Sequence, residues 1–332
     1  MTEDQPSGTA RALWYVARGR VDLWPVDLAA PGPGEARVRT AWSALSRGTE
    51  RLVFQGRVPA AERERMRAPM QEGDFPFPVK YGYCAVGTVE AGPDDLVGRA
   101  VFCLHPHQDI FVAPAAMLTL VPEAVPARRA VLAANMETAL NALWDSGAGP
   151  GDRIVVVGAG TLGLLVASLA ARMPGTSVTL VDVDLSREGI ARHLGCAFQK
   201  PLDAPGEADV VFHASATAPG LACALACAGD EASIVEMSWY GDEPVAASLG
   251  LAFHSRRLRL VSSQVGRISP GRRPRWTHAR RLAKALDLLA DERLDALITE
   301  EVAFGDLPEA LPRLLAPGAS GLCTAVRYLE GV

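Results

Sequence analysis

At 332 residues the chain exceeds what a single core is expected to serve, so two domains are anticipated. A hydrophobic share of 49%, a charged share of 21% and a net charge of −5 fit an ordinary globular protein. They exclude a fibrous or disordered chain and give no global pull toward nucleic acid or membrane.

The polar, acidic start MTEDQPSGTA lacks the apolar stretch of a secretory signal. Six cysteines (84, 103, 196, 223, 227 and 323) stand without CxxC pairs or zinc-ribbon spacing, so free thiols in a reducing cytoplasm are expected.

Residues 11–121 carry short β-like runs, ALWYV, EARVRTAW and CAVGTVEAG, punctuated by Pro-Gly and Gly. That texture predicts a largely antiparallel, barrel-like β domain. Farther on, eighteen uncharged residues between Arg153 and Arg172, IVVVGAGTLGLLVASLAA, are long enough for a membrane span. The β-branched run breaks into Gly-x-Gly and then an Ala/Leu-rich run, which predicts instead a buried strand, a tight turn and a buried helix.

That turn reads Gly158-x-Gly160-x-x-Gly163, directly after the strand Ile154–Val157. A second β-branched run, Val178–Val181, follows Pro174-Gly175 and ends in Asp182, nineteen residues beyond Gly163. The spacing predicts a dinucleotide cradle: Gly158 for the sharp turn, Gly160 for close approach of a pyrophosphate, Gly163 for helix packing. Thr161, Leu162 and Ser215 are assigned to the same cofactor set. Asp182 is placed for the adenosine ribose hydroxyls and would repel a 2′-phosphate, so NAD is expected rather than NADP.

ADVVFHASA (208–216), ASIVEMSW (232–239) and RLRLVSS (257–263) read as further strands, with LACALACAG as a helix ending at Gly229. Alternating strands and helices predict an α/β, doubly wound parallel sheet.

The order of parts resembles the medium-chain dehydrogenase/reductase superfamily over nearly the whole chain. The stretches that carry this are SALSRGTERLVF (43–54), VKYGYCAVGTVEAG (79–92), VGRAVFCLHPHQDIFVAP (97–114), LAANMETALNALWDSGAGPGDRIVVVGAGTLG (132–163) and ITEEVAFGDLPEALPRLL (298–315). The Ser-x-Gly-Thr-Glu pattern at 46–50 is similar to a branch labelled zinc-binding alcohol dehydrogenase, which includes bacteriochlorophyllide dehydrogenases. The resemblance implies a Rossmann domain, residues 126–265, inserted in a GroES-like catalytic domain formed by residues 1–125 and 266–332. It also implies a small-molecule substrate, and relatives often form dimers through the Rossmann sheet edge.

The same resemblance prompts an audit for metal. A catalytic zinc needs three ligands drawn from Cys, His and carboxylates, with one position open. Where metal-dependent relatives place these, this sequence has Arg47, Tyr83, and Ala134 or Asn135. The cysteine lobe for a structural zinc is absent, and no zinc of either kind is expected; Cys84 and Glu137 are the residues that could recruit a metal in an unfamiliar geometry.

Without zinc, hydrogen-bond donors or a cation must hold the charge on oxygen during hydride transfer. Thr49 matches a hydroxyl that relays protons in relatives, Tyr83 would present a phenol, and Glu137 would serve as a base. Arg47 would meet developing charge or a substrate carboxylate, or form a structural ion pair with Glu50, itself a substrate-binding candidate. His107, in LHPHQD, lines the pocket or closes a turn, and Thr138 matches a residue that packs on nicotinamide.

Residues 254–284 hold nine arginines and no acid, so Arg267 is expected at the cofactor pyrophosphate or an anionic substrate. Trp239, Tyr240 and Trp276 would form an aromatic wall or pack in the core.

The expected activity is zinc-independent, NAD-dependent oxidation or reduction at a secondary alcohol or ketone of a polar, perhaps carboxylated, substrate. The competing expectations are a quinone- or enoyl-type NADPH reductase and a non-catalytic NAD(H)-binding sensor.

Overall fold

Near-alternation of inward apolar and outward polar side chains makes TARALWYVA a strand, β1 (Thr9–Ala17), burying Ala10, Ala12, Leu13 and Tyr15. A computed structural model describes residues 9–328. They divide into two compact units: residues 9–134 with 286–290 and 298–328, and residues 135–285 with 291–297.

In the first unit, β1 pairs antiparallel with β2 (Arg20–Asp27). The long β3 (Glu35–Leu45) leads into helix α1 (Arg47–Phe54). Short β4 (Glu72–Gly73) and β5 (Val79–Lys80) complete a four-stranded sheet in the order β2-β1-β5-β4. Next come β6 (Ala85–Ala91), β7 (Ala100–Cys103), β8 (Ile110–Pro114) and β9 (Thr119–Leu120). Strands β6 and β8 pair antiparallel with β3, over a core that includes Val38, Val89, Val101 and Phe111. The expected antiparallel β domain is present.

A short helix α2 (Ala127–Ala130) precedes α3 (Ala133–Ser146), most of which belongs to the second unit. There β10 (Arg153–Val157), α4 (Thr161–Ala170) and β11 (Ser177–Val181) follow one another as the glycine pattern predicts. Helix α4 buries every residue from Gly163 to Ala170, which is why its sequence is apolar on all faces.

After helix α5 (Glu188–His193) come β12 (Ala197–Gln199), β13 (Ala208–His213), α6 (Ala218–Cys227), β14 (Ala228–Glu236) and β15 (Arg259–Ser262). The six strands form a parallel sheet in the order β12-β11-β10-β13-β14-β15. The order reverses between β10 and β13, the switch point at which such sheets bind ligands. Gly229, expected to end α6, lies inside β14 instead: a Cβ there would sit 3.1 Å from the backbone of Glu207.

Helix α7 (His278–Leu288) closes this unit, and β16 (Ile298–Ala303), α8 (Leu307–Leu314) and β17 (Cys323–Arg327) return to the first. There β17 pairs with β3 and extends the larger sheet to seven strands.

The compact units divide at 134/135 and again near 286, whereas the sequence suggested 125/126 and 265/266. The reason for the second difference is Arg281, whose buried guanidinium binds Glu137 and Asn141 of α3 and holds residues 266–285 in the Rossmann unit. Among the described residues, no helix is long and apolar enough to cross a membrane.

Candidate active site

The cradle in the second unit is built by steric necessity. Gly158 has φ +106°, and a Cβ there would lie 2.8 Å from the Ser215 nitrogen. At Gly163 a Cβ would sit 1.9 Å from the Gly158 carbonyl oxygen, so only glycine lets α4 pack this close. Gly160 differs: nothing stands within 4 Å of its Cβ direction, leaving open space beside the turn. It caps α4 with no side chain engaged, so Thr161 and Leu162 open the helix with first-turn N–H groups available to an anion.

Asp182 accepts hydrogen bonds from Ala159 N–H at 2.5 Å and Asp184 N–H at 2.8 Å. Its carboxylate is thereby locked at the tip of β11. These residues fit a dinucleotide: an open glycine face, a free helix start and a fixed acid beyond the second strand.

In the first unit the polar side chains gather at the start of α1. Glu50 is fully buried and both its oxygens are occupied: Ser46 N–H donates at 2.7 Å, the Tyr15 hydroxyl at 2.6 Å, and His107 Nε2 lies at 3.1 Å. The Ser46–Glu50 contact is a capping box displaced by one residue, which explains part of the Ser-x-Gly-Thr-Glu pattern. His107 Nδ1 meets the Ser43 hydroxyl at 2.8 Å, and Ser43 meets the Tyr328 hydroxyl at 3.1 Å. Glu50 and His107 are therefore partners of each other, and the substrate-binding roles expected of them give way to a buried network.

Tyr83 is half-buried, with the side chains of Ser46 and Thr49 close enough to favour its ionised form slightly. Burial, followed by the neighbouring Cys84, pushes its phenol well above the usual tyrosine range, and the two hydroxyls only partly offset this. It is a proton-bearing donor at any working pH. Beside it, burial raises the Cys84 thiol, and Cys323 is pushed up to about 12 by burial.

Arg47 turns away from this cluster. Its guanidinium donates to the carbonyls of Ser320 (2.6 Å) and Ala319 (2.7 Å), while Arg51, one turn on, takes those of Leu315 and Ala316. Both arginines tie α1 to the chain just after α8, where helix-end carbonyls favour cations. Among the described residues no Arg47–Glu50 contact appears, and Arg47 gives two of its N–H groups to backbone carbonyls in the manner of a strut.

Glu137 also departs from expectation. It lies buried against Arg281 Nε at 2.9 Å; burial raises its carboxyl and Arg281 lowers it only in part. Arg281 also donates to Asn141 Oδ1 and to the Val265 carbonyl. This arrangement supports folding of the second unit rather than a base open to substrate. Thr138 follows on α3, half-buried.

The basic stretch is dispersed. Arg256 pairs with Glu207, Arg257 with Glu231, Arg272 lies over Trp144 and Arg280 over Trp276, leaving Arg267 exposed in a turn. Trp276 packs on Trp144, with ring centroids 4.7 Å apart.

Sequence reasoning missed a second buried network. His213 ends β13 with no exposure; its Nδ1 meets Glu236 at 2.7 Å and its Nε2 meets Ser215 Oγ at 2.7 Å. Tyr240, expected as wall or core, donates to Glu236. The signal was the imidazole in the apolar run ADVVFH, one step before the turn that carries Ser215.

Among the described residues, no group of three His, Cys, Asp or Glu side chains could hold a metal ion. No family model matches the chain. D-guloside 3-dehydrogenase of Escherichia coli (strain K12) is 25% identical over 307 residues, which cover 83% of this chain and 87% of that protein. This relative, together with the fold, supports a place in the medium-chain dehydrogenase/reductase superfamily.

The chain is an oxidoreductase of the dehydrogenase type. Solved structures share the fold. One described as a zinc-binding dehydrogenase from Sinorhizobium meliloti 1021, bound to NADP, has a TM-score of 0.78 at 18% identity, covering 96% of this chain and 99% of that one. An alcohol dehydrogenase from E. coli CFT073, complexed with NADH, has a TM-score of 0.76 at 16% identity, covering 96% and 100%.

Proposed function

We propose that this superfamily member is an NAD-dependent dehydrogenase that acts, without zinc, on a secondary alcohol of a polyhydroxylated substrate. The observation that carries the reading is the hydroxyl cluster of Tyr83, Thr49 and Ser46 at the start of α1, beside a Glu50–His107 pair already satisfied. The side chains with the chemistry to bind zinc are occupied or isolated: Glu50 and His107 engage each other, and Cys84 and Cys323 are buried thiols held protonated. This donor set does not fit a tetrahedral zinc site.

Bound NAD would supply the hydride acceptor. The chain's own part divides between its units. In the second, the Gly158–Gly163 turn and the start of α4 take the pyrophosphate, while Asp182 takes the adenosine ribose; a carboxylate there favours NAD over NADP. In the first, the Tyr83 phenol donates a hydrogen bond to the substrate oxygen and stabilises charge that builds there. The alcohol proton would leave to solvent water, with the Thr49 and Ser46 hydroxyls near the phenol as its polar path.

Arg47 gives two of its N–H groups to backbone carbonyls, which supports a neutral rather than a carboxylated substrate. The sugar-directed activity named for the E. coli relative supports a sugar or polyol.

Tyr83→Phe tests the assignment. Turnover with a panel of sugars and polyols is expected to fall about a hundredfold, with NADH affinity unchanged. Unchanged turnover would remove Tyr83 from the chemistry.

A further inference from the structure

The network at the end of β13 has a fixed direction. The Glu236 carboxylate only accepts, so the ring proton of a neutral His213 sits on Nδ1 and points to Glu236 at 2.7 Å. Glu236 also accepts from Ser238 N–H at 2.8 Å and from the Tyr240 hydroxyl at 3.1 Å. Burial works against its ionisation, but the hydrogen bonds from His213 and Ser238 outweigh it and hold the carboxyl below the usual range.

Nε2 is then an acceptor, and the hydrogen bond it makes at 2.7 Å is donated by Ser215. Thr217 Oγ1 accepts from Gly220 N–H and lies 3.0 Å from Ser215 Oγ, so it donates its own proton to Ser215. One lone pair of Ser215 remains, and it can only accept.

Space for this convergence exists because residue 220 is glycine: a Cβ there would lie 2.0 Å from Ser215 Oγ and 2.8 Å from His213 Nε2. Ser215 also abuts the Gly158 turn, at the switch point between the two halves of the sheet. The first half, β10 to β12, carries Asp182 for the adenosine; the second carries Ser215.

We propose that His213, braced by Glu236, sets the hydrogen-bonding polarity of Ser215, so that Ser215 accepts from a sugar hydroxyl on the nicotinamide-bearing half of the dinucleotide and loses that match when His213 gains a proton. His213 and Glu236 are positioning residues in this scheme. The ionisable groups facing His213 are Glu236 of β14 and Tyr240 beyond it; β10 contributes Val157 and α6 contributes Gly220, neither ionisable. Protonation turns Nε2 into a donor and displaces the Ser215 proton toward Thr217 Oγ1 or the ligand hydroxyl, so the fixed match is lost.

This inference rests on the reading of the cradle as a nicotinamide dinucleotide site. The test is equilibrium binding of NADH to the full chain by fluorescence from about pH 5 to pH 8, with His213 followed by NMR in the same samples. Adenosine monophosphate, which lacks the nicotinamide-bearing half, serves as control.

In the wild type the NADH dissociation constant is expected to rise about fivefold as His213 protonates. Ser215→Ala is expected to bind about fivefold more weakly at pH 8 and to lose the pH dependence, with its affinity for adenosine monophosphate unchanged. His213→Gln, whose side-chain carbonyl can accept from Ser215, should keep wild-type affinity at every pH.

A Ser215→Ala protein with the wild-type pH profile, or one equally weakened toward adenosine monophosphate, overturns the inference alone. Failure of the wild type to bind NADH at any pH overturns the cradle reading and the inference together.

Discussion

The two units encode their chemistry in different ways. In the second, backbone geometry dictates residue identity: a Cβ 1.9 Å from the Gly158 carbonyl oxygen forbids anything but glycine at 163. Such a constraint leaves a fixed spacing in the sequence. In the first, one carboxylate gathers partners from far away, Tyr15 lying 35 positions from Glu50 and His107 57 positions away. Those side chains carry no mutual spacing, and only the folded chain brings them together. A site built by close backbone approach is therefore readable in a single sequence, whereas one built by side-chain convergence is not.

Substitutions can break that contrast. The largest expected effect is in the second unit, at Arg281→Ala. It strands Glu137 in the interior and is expected to cost about 3–5 kcal/mol in denaturant unfolding. Survival of wild-type stability would show that Glu137 is not a structural partner and would return it to the candidate bases.

Gly163→Ala follows. Forcing a methyl group against the Gly158 carbonyl should cost about 1–3 kcal/mol and abolish detectable NADH binding, read by thermal melting and fluorescence titration. Asp182→Asn keeps the shape of the site and removes the charge; the preference for NADH over NADPH is expected to fall about tenfold in paired titrations.

A subtler difference lies at alkaline pH. Burial raises four tyrosines of the first unit, Tyr15, Tyr81, Tyr83 and Tyr328, and one of the second, Tyr240, above the ordinary tyrosine value. Each stays protonated in the folded state while its unfolded counterpart ionises. Their contribution is fully present below about pH 10 and is lost as pH rises beyond it, because the folded chain then binds more protons. Chemical unfolding followed by tyrosine absorbance should show the first unit losing stability above that pH. A flat profile would mean that these phenols are less buried than the structure places them.

The strand-turn-helix of the cradle, the parallel sheet and the antiparallel β domain were all legible in the sequence, because period-two runs and glycine spacing are local properties. The roles of Arg47 and Glu137 were not. Each is a charged residue at a position where relatives place chemistry, and the sequence does not show that the carbonyls of Ala319 and Ser320, or the guanidinium of Arg281, already engage them. The unit boundaries shifted for the same reason, since a single buried arginine keeps residues 266–285 with the Rossmann unit. His213 went unnoticed because one imidazole in a buried strand has no motif, although its partners Glu236 and Ser215 stand in stretches read as strands.

The central claim is that protein hydroxyls, rather than a bound ion, support hydride transfer in this chain. The most direct measurement is elemental analysis of the purified protein, paired with NAD reduction on a sugar and polyol panel before and after exhaustive chelation. The account predicts less than stoichiometric zinc and the same turnover on both sides of chelation. One zinc per chain, with turnover lost on its removal and restored by adding it back, would contradict it.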